Sequence, residues 1–230
     1  MQAVIMAGGA GNRLRPLTNE IPKPMVNIID RPVMLYIIRH LKKHGIYDIG
    51  VTLNYKHEVI TSYFGDGGNY GVRLKYFIEN EPLGTAGSVK TAADFLDDNF
   101  LVISGDAFTE IDLDAFWGEH LRSKTVATLA VKEVDNTAGF GVVKVKNGII
   151  TEFIEKPAET TEKLVNTGIY MFKRDILQLI PDGFYDFGKN LFPLLTGKMA
   201  AYRTDAYWSD IGTLERYYLT NLYVAQRNNN

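Results

Sequence analysis

An α/β fold, with a mostly parallel central sheet flanked by helices and an α+β elaboration in the second half, is what the sequence predicts. Three observations carry that expectation. Short apolar runs at Ala3–Ala7, Ile49–Leu53, Val72–Ile78 and Phe100–Ser104 alternate with segments of helical period, and strands alternating with helices of this length imply right-handed crossovers between parallel strands. Beyond residue 110 the rhythm changes: Val126–Val131, Gly141–Val145, Ile149–Ile154 and Val165–Phe172 read as strands with few long helices between them. Finally, 230 residues with 46% hydrophobic and 23% charged composition can bury one substantial core. With no repeat, low-complexity block or linker in view, a single domain over residues 1–230 is expected.

Ala3-Val4-Ile5-Met6-Ala7 reads as a buried strand that breaks into Gly8-Gly9-Ala10-Gly11-Asn12-Arg13-Leu14-Arg15-Pro16, followed by Pro22-Lys23-Pro24-Met25. Glycines let backbone N–H groups approach an anion and adopt positive φ, and Arg13 and Lys23 add fixed positive charge beside them. The loop is expected to handle a polyphosphate. It is neither a Walker loop, lacking Gly-Lys-Ser/Thr, nor a dinucleotide fingerprint, which needs a third Gly opening a helix where this chain has Arg13 and Pro16. A Gly-rich connector with solvated basic residues is the plain alternative.

Next, Asp30-Arg31-Pro32 predicts an N-cap with Pro in the first turn of a helix carrying Met34, Ile37, Ile38 and Leu41, ended by Gly45. His40 and His44, near Lys42 and Lys43, read as helix surface complementing the macrodipole. A strand at Ile49–Leu53 leads to a short helix, His57–Phe64, with Val59, Ile60 and Tyr63 on one face. After the Val72–Ile78 strand comes Glu79–Gly87, where Thr85 is placed to cap a helix holding Val89, Ala92, Ala93 and Leu96 inward. The Phe100–Ser104 strand ends in Gly105-Asp106. Ligands of parallel sheets sit beyond the carboxyl ends of the strands, so Asp106 stands level with the opening loop, where a carboxylate could hold a divalent cation. A Gly-Asp turn is the plain alternative.

In the second half, Phe140-Gly141-Val142-Val143, Glu155-Lys156-Pro157 and Val165-Asn166-Thr167-Gly168 place polar groups inside apolar runs, an arrangement expected to face a ligand. Lys156-Pro157 also fits a strand exit, and Asn166-Thr167 a satisfied sheet edge. Asp112-Leu113-Asp114 reads as a helix start. Tyr207–Thr213 precedes a helix whose Leu214, Tyr218, Leu222 and Ala225 share a face. Thr213 or Asp210 can cap it, or Asp210 can be a second carboxylate for the cation at Asp106. Asn228-Asn229-Asn230 reads as a polar tail closing no element. A net charge of -2 gives no broad basic field for nucleic acid or an acidic membrane. The lack of Cys removes thiolate chemistry, disulfides and Cys-based zinc sites. With no signal peptide or membrane span in the sequence, the cytoplasm is the expected compartment.

Taken in order, Ala7–Leu14, Lys23-Pro24-Met25, Pro82–Gly87, Gly105-Asp106, Glu155-Lys156-Pro157, Asn166-Thr167-Gly168 and Trp208-Ser209-Asp210-Ile211-Gly212 resemble the sugar nucleotidyltransferase family. These enzymes join a nucleoside triphosphate to a sugar 1-phosphate and release pyrophosphate. The wording is most similar to the mannose-1-phosphate guanylyltransferases in Glu79–Gly87, Val165–Tyr170 and Tyr207–Gly212. The resemblance implies a Rossmann-like nucleotidyltransferase fold with a nucleotide-binding half, roughly residues 1–110, and a sugar-phosphate-binding half, roughly 111–230. It implies catalytic roles for Arg13, on the leaving pyrophosphate, and Lys23, on the α-phosphate or sugar phosphate. Nucleotide contacts fall on Gly8, Gly9, Gly11, Asn12, Arg13, Glu79, Gly84 and Thr85, sugar-phosphate contacts on Gly141, Glu155, Lys156 and Asn166, and Mg²⁺ on Asp106 and Asp210.

Two departures from the family pattern are visible. Asn12 stands where the family usually has Thr, and neither a C-terminal β-helix nor a phosphomutase domain is expected within these 230 residues. The resemblance places Glu79 on the base edge, and a carboxylate can accept both N1–H and N2–H₂ of guanine, so GTP is the favoured nucleotide; the resemblance alone implies mannose 1-phosphate as its favoured partner. Glucose-1-phosphate uridylyl or thymidylyl transfer, and a non-catalytic nucleotide-sugar-binding regulator, are the alternatives. The expected partners are the two substrates, with no nucleic acid and no membrane, and homo-oligomerisation stays open.

Overall fold

The computed structural model describes residues 1–228; Asn229 and Asn230, part of the expected polar tail, lie outside the described residues, whereas Asn228 closes the last helix. Strand β1 (Gln2–Met6) is followed by a two-residue ladder of β2 (Asn27–Ile28) and β3 (Arg31–Pro32), helix α1 (Val33–Lys43), β4 (Asp48–Leu53), α2 (His57–Phe64), β5 (Arg73–Ile78), α3 (Gly84–Lys90) and β6 (Asn99–Ser104). The second half runs β7 (Ala107–Thr109), α4 (Leu113–Ser123), β8 (Ala127–Glu133), β9 (Val142–Lys146), β10 (Ile149–Ile154) and β11 (Leu164–Lys173). A π-helical turn (Phe187–Leu191) then enters α5 (Phe192–Leu194), and β12 (Met199–Arg203), β13 (Trp208–Asp210) and α6 (Leu214–Asn228) complete the described chain.

One sheet joins both halves in the order β5-β4-β1-β6-β11-β8-β12-β10-β9. The first four strands are parallel, as the alternation predicted; β11 then pairs antiparallel with β6 and begins the mixed half. Strands buried on both faces read as continuous apolar runs. Accordingly Ala3, Ile5, Ile49, Val51, Leu101 and Ile103 pack on the side of α1 and α2, while Val4, Phe100 and Val102 pack with Ala86 and Val89 of α3. Met6 pairs with both Thr52 and Ser104, so the carboxyl ends of β1, β4 and β6 form one rim.

Three local expectations are corrected, and the placement of α6 is added to them. Asp30 does not cap α1: the chain reverses through Ile29, at φ 57°, to form the β2–β3 ladder. Pro32 is therefore the N-cap residue, and the Val33 amide donates to Val26 O at 3.0 Å. Thr85 does not cap α3, whose Ala86 and Gly87 amides donate instead to Tyr185 O at 3.0 and 2.9 Å. His40 and His44 are half-buried rather than surface, because α1 docks on the start of α4. There His40 Nε2 meets Ile111 O at 2.8 Å and His44 Nδ1 meets the Asp114 carboxylate at 2.8 Å. On α6 the apolar face at Leu214, Tyr218 and Leu222 is exposed. The helix is rolled by Tyr223, which stacks on Tyr207 at 3.5 Å and donates to Glu110, so Thr220 and Val224 are the residues turned inward. Thr213 caps α6 as expected, accepting from the Arg216 amide at 3.3 Å, and Asp112 caps α4 through the Asp114 and Ala115 amides at 3.0 Å. No helix among the described residues is long and apolar enough to cross a membrane.

Candidate active site

A cleft of about 630 Å³ opens over the rim formed by Met6, Thr52 and Ser104. Gly8, Gly9, Ala10, Gly11, Asn12, Arg13 and Lys23 form one wall, and Glu79, Leu83, Gly84, Thr85, Ser88 and Asp186 line it elsewhere. All eight residues expected at the nucleotide therefore lie on a single cleft. The opening loop is held in shape by Thr18 Oγ1, which donates to Gly11 O at 2.8 Å, and by the Leu14 amide, which donates to the same carbonyl at 2.9 Å.

At one end of the cleft, Glu79 is 8% exposed. Its Oε2 accepts the Leu83 amide at 3.1 Å and its Oε1 accepts the Ser88 hydroxyl. Glu79 thus shapes the loop that precedes α3, and each oxygen keeps a further lone pair for a ligand. The loop is strapped from the second half of the chain. Gly84, at φ +71°, leaves no room for a Cβ, which would lie 2.6 Å from Tyr185 O. Thr85 Oγ1 donates to Asp186 Oδ2 at 3.0 Å and accepts the Phe187 amide at 2.8 Å, while Asp186 Oδ1 caps the π-helical turn through the Gly188 and Lys189 amides. Behind this wall the Thr52 hydroxyl is buried without a partner among the described residues.

At the other end is a charged cluster. Gly105 lets the chain pass close to β1: its amide donates to Met6 O at 2.8 Å, and a Cβ there would lie 2.8 Å from the same oxygen. Asp106, thereby placed on the cleft, receives Lys23 Nζ on one oxygen and the Ser104 hydroxyl on the other. Burial alone would raise its pKa; the charge and hydrogen bond of Lys23, with that of Ser104, outweigh burial and hold it below the usual carboxylate value. Asp210 is alongside, since β13 pairs with β7 at Asp210 and Ala107 and the Ile211 amide donates to Asp106 O at 3.1 Å. Burial and the neighbouring Asp106 charge raise the Asp210 pKa, against the opposing charges of Arg216, Lys23 and Arg13. The guanidinium of Arg13 runs past Gly212 and Gly139, where a Cβ would meet it at 3.4 and 3.3 Å.

Two adjacent carboxylates at the charged part of the cleft, one lining it and one directly behind Gly212, are a donor set suited to a hard divalent cation such as Mg²⁺, which binds through one or two carboxylates and substrate phosphates. His44, Asp112 and Asp114 also bring ligand-type atoms within 4.8 Å of one another, but at the α1–α4 junction, where Asp112 is engaged as a helix cap.

The four residues expected at the sugar phosphate do not line this cleft. They gather beside it around Tyr170. The Asn166 amide donates to Gly141 O at 2.8 Å, Asn166 Nδ2 donates to Tyr170 OH at 3.0 Å, and its Oδ1 accepts the Gly168 amide at 3.1 Å. The Glu155 carboxylate fills the space where a Cβ on Gly141 would stand, 2.9 Å away, and also abuts Gly188. Lys156 sits at φ 46° with Nζ 3.0 Å from Glu155. Burial raises the Tyr170 pKa well above the usual phenol value, so it stays a neutral hydroxyl. Ser88, Ser104, Asp186 and Arg216 were not expected. Only Asp186, an N-cap type of residue before Phe187-Gly188, left a signal in the sequence; the others become visible only through their partners.

The chain matches the nucleotidyl transferase family over residues 2–227. It belongs to that family. It is 38% identical to a UTP–glucose-1-phosphate uridylyltransferase of Synechocystis over 95% of its own length and 62% of that protein's. It is 34% identical to a D-glycero-alpha-D-manno-heptose 1-phosphate guanylyltransferase of Campylobacter jejuni over 95% of this chain and 97% of the relative. The mannose-1-phosphate guanyltransferase of Saccharomyces cerevisiae is 34% identical over 92% of the chain, which spans 61% of that relative. Among solved structures, a putative glucose-1-phosphate thymidylyltransferase from Bacillus anthracis superposes with a TM-score of 0.88 at 28% identity, covering 97% of this chain and 94% of that one. HddC from Yersinia pseudotuberculosis, complexed with GMP-PN, gives 0.86 at 30% identity, covering 97% and 99%. The relatives are sugar-1-phosphate nucleotidyltransferases, and they divide between guanylyl and uridylyl or thymidylyl transfer.

Proposed function

We propose that the protein transfers a guanylyl group from GTP to a sugar 1-phosphate, with mannose 1-phosphate the favoured acceptor, releasing pyrophosphate. One observation carries the reading: a single cleft holds a buried, acceptor-only Glu79 at one end and, at the other, Arg13, Lys23 and Asp106 beside an amide-rich glycine loop. A base that offers two adjacent donors suits Glu79, and a triphosphate suits the loop and its cations. The names of two guanylyltransferase relatives support the same choice.

The attacking oxygen of a sugar 1-phosphate is already anionic, so the reaction needs no general base. The protein's work is to align it with the α-phosphorus and to neutralise two polyanions that repel each other. Mg²⁺, held by Asp106 and Asp210, would supply charge neutralisation across the phosphates. Lys23, fixed on Asp106, presents its ammonium at the α-phosphate. Arg13, bracketed by Gly139 and Gly212, meets charge accumulating on the departing pyrophosphate. Lys156, Asn166, Glu155 and the Gly141 backbone, gathered beside the cleft, would receive the sugar phosphate.

Incubating the protein with each of four nucleoside triphosphates against a panel of sugar 1-phosphates in Mg²⁺, and measuring pyrophosphate, tests this. The highest kcat/KM is expected for GTP with mannose 1-phosphate. A preference for UTP or dTTP with glucose 1-phosphate would replace the guanylyl reading, an outcome to which the 38% identity with a uridylyltransferase gives weight. Binding without pyrophosphate release from any pair would favour a regulator.

A further inference from the structure

Arg216, in the first turn of α6, is committed to Asp210. Its Nη1 donates to Asp210 Oδ1, its Nε donates to Thr213 Oγ1 at 3.3 Å, and its guanidinium carbon lies 4.5 Å from the centre of the Phe140 ring. The two side chains are 19% and 18% exposed. A planar guanidinium held by a carboxylate, a hydroxyl and an aromatic face is pre-organised, and little rotamer freedom remains to be lost in keeping it there. Asp106 is matched in the same way by Lys23. Each carboxylate of the pair therefore carries its own resident cation. The two cations differ in position: Lys23 lines the cleft, whereas Arg216 reaches Asp210 from the α6 side, next to Gly139 and Phe140.

We propose that Arg216 is the resident counter-ion of Asp210 and competes with a divalent cation for that carboxylate, keeping metal affinity low until a polyphosphate arrives. It is a positioning residue and touches no reacting atom. The proposal rests on Asp106 and Asp210 being the metal-binding pair. Its physical basis is charge balance: with Arg13, Lys23 and Arg216 facing Asp106 and Asp210, three cations oppose two carboxylates, leaving one positive charge in excess. A free dication entering that cluster meets net repulsion and must also displace a hydrogen-bonded guanidinium. A triphosphate reverses the sign of the cluster, so metal and nucleotide enter together.

The test is binding of Mn²⁺ alone, without nucleotide, to the full chain, by titration calorimetry and by the electron paramagnetic resonance signal of free Mn²⁺. Arg216→Met should bind Mn²⁺ about ten-fold more tightly than the wild type, equivalent to about 1.4 kcal/mol. Arg216→Gln, which keeps a donor but drops the charge, should move the same way, and Arg216→Lys should stay close to wild type. In the Arg216→Met background, Asp210→Asn should abolish the gain. If Arg216→Met and Arg216→Gln are folded and bind Mn²⁺ no more tightly than wild type, the counter-ion role is overturned while the metal assignment stands. If the double variant keeps the tight binding, the cation is not on Asp210, and the metal assignment falls together with the proposal.

Discussion

Replacing Glu79 by Gln separates the residue's structural work from its proposed reading of the base. In the protein Glu79 Oε2 accepts the Leu83 amide at 3.1 Å and Oε1 accepts the Ser88 hydroxyl. Glutamine can keep both contacts, because its oxygen still accepts from Leu83 and its NH₂ can donate to Ser88 Oγ once that hydroxyl rotates. The cost to stability is therefore on the order of 1 kcal/mol or less. Towards guanine the change is larger. One of two acceptors becomes a donor facing N1–H or N2–H₂, and the charge that strengthens both hydrogen bonds is lost. Hydrogen bonds to a charged group contribute about 1.5–3 kcal/mol, so the GTP to UTP ratio of kcat/KM should fall roughly ten- to a hundred-fold. Both constants are measured by pyrophosphate release with one sugar 1-phosphate, with the thermal midpoint as a control on folding. A folded variant with an unchanged ratio would refute the assignment of Glu79 to the base edge.

Other expectations concern the scaffold. Gly84→Ala places a Cβ 2.6 Å from Tyr185 O at φ +71°, where that carbonyl is pinned by the Ala86 and Gly87 amides. It should cost about 2–3 kcal/mol in urea denaturation and raise KM for the nucleotide; a loss below about 0.5 kcal/mol would show that the strap yields. His120 is fully buried, shares a 2.9 Å contact with Thr128 Oγ1, and is pushed down to about 4 by burial, with the charge of Lys173 adding to it. The unfolded chain therefore takes up the proton first as the pH falls. Stability present above pH ~6.5 should be lost on acidification towards pH 4, by about 2 kcal/mol between pH 7.5 and 5. A His120→Leu variant should show that much less loss over the same range, and equal slopes in the two proteins would contradict the account.

The first hundred residues were the most legible, because strands buried on both faces and helices of clear period leave little ambiguity about type. Their exact starts were less so. Asp30 looked like a cap only because the two-residue ladder that displaces it depends on pairing between Asn27–Ile28 and Arg31–Pro32. Strand β12, written Met199-Ala200-Ala201-Tyr202-Arg203, gave no signal, being short and poor in β-branched residues, and its place is decided by pairing with β8. On α6 the residues turned inward are Thr220 and Val224, because a threonine buries readily when its hydroxyl finds a partner, as Thr220 does on Arg216 O. In the site, the glycine loop, Lys23 and Asp106 were readable from residue type and position. Their pairing across 83 residues, and the strap from Thr85 to Asp186 across 101, were not, since neither leaves a local pattern.

The most direct test is pyrophosphate release from GTP and mannose 1-phosphate by the wild-type protein and by Asp106→Asn, each with Mg²⁺ and with chelator. The wild type should give stoichiometric pyrophosphate and nucleotide sugar, and the variant a rate lower by on the order of 10²-fold or more, because a ligand charge beside the phosphates is lost. Chelation should abolish the reaction. An Asp106→Asn protein that turns over at the wild-type rate, or a wild type that releases no pyrophosphate from any nucleotide and sugar 1-phosphate, would contradict the proposed function.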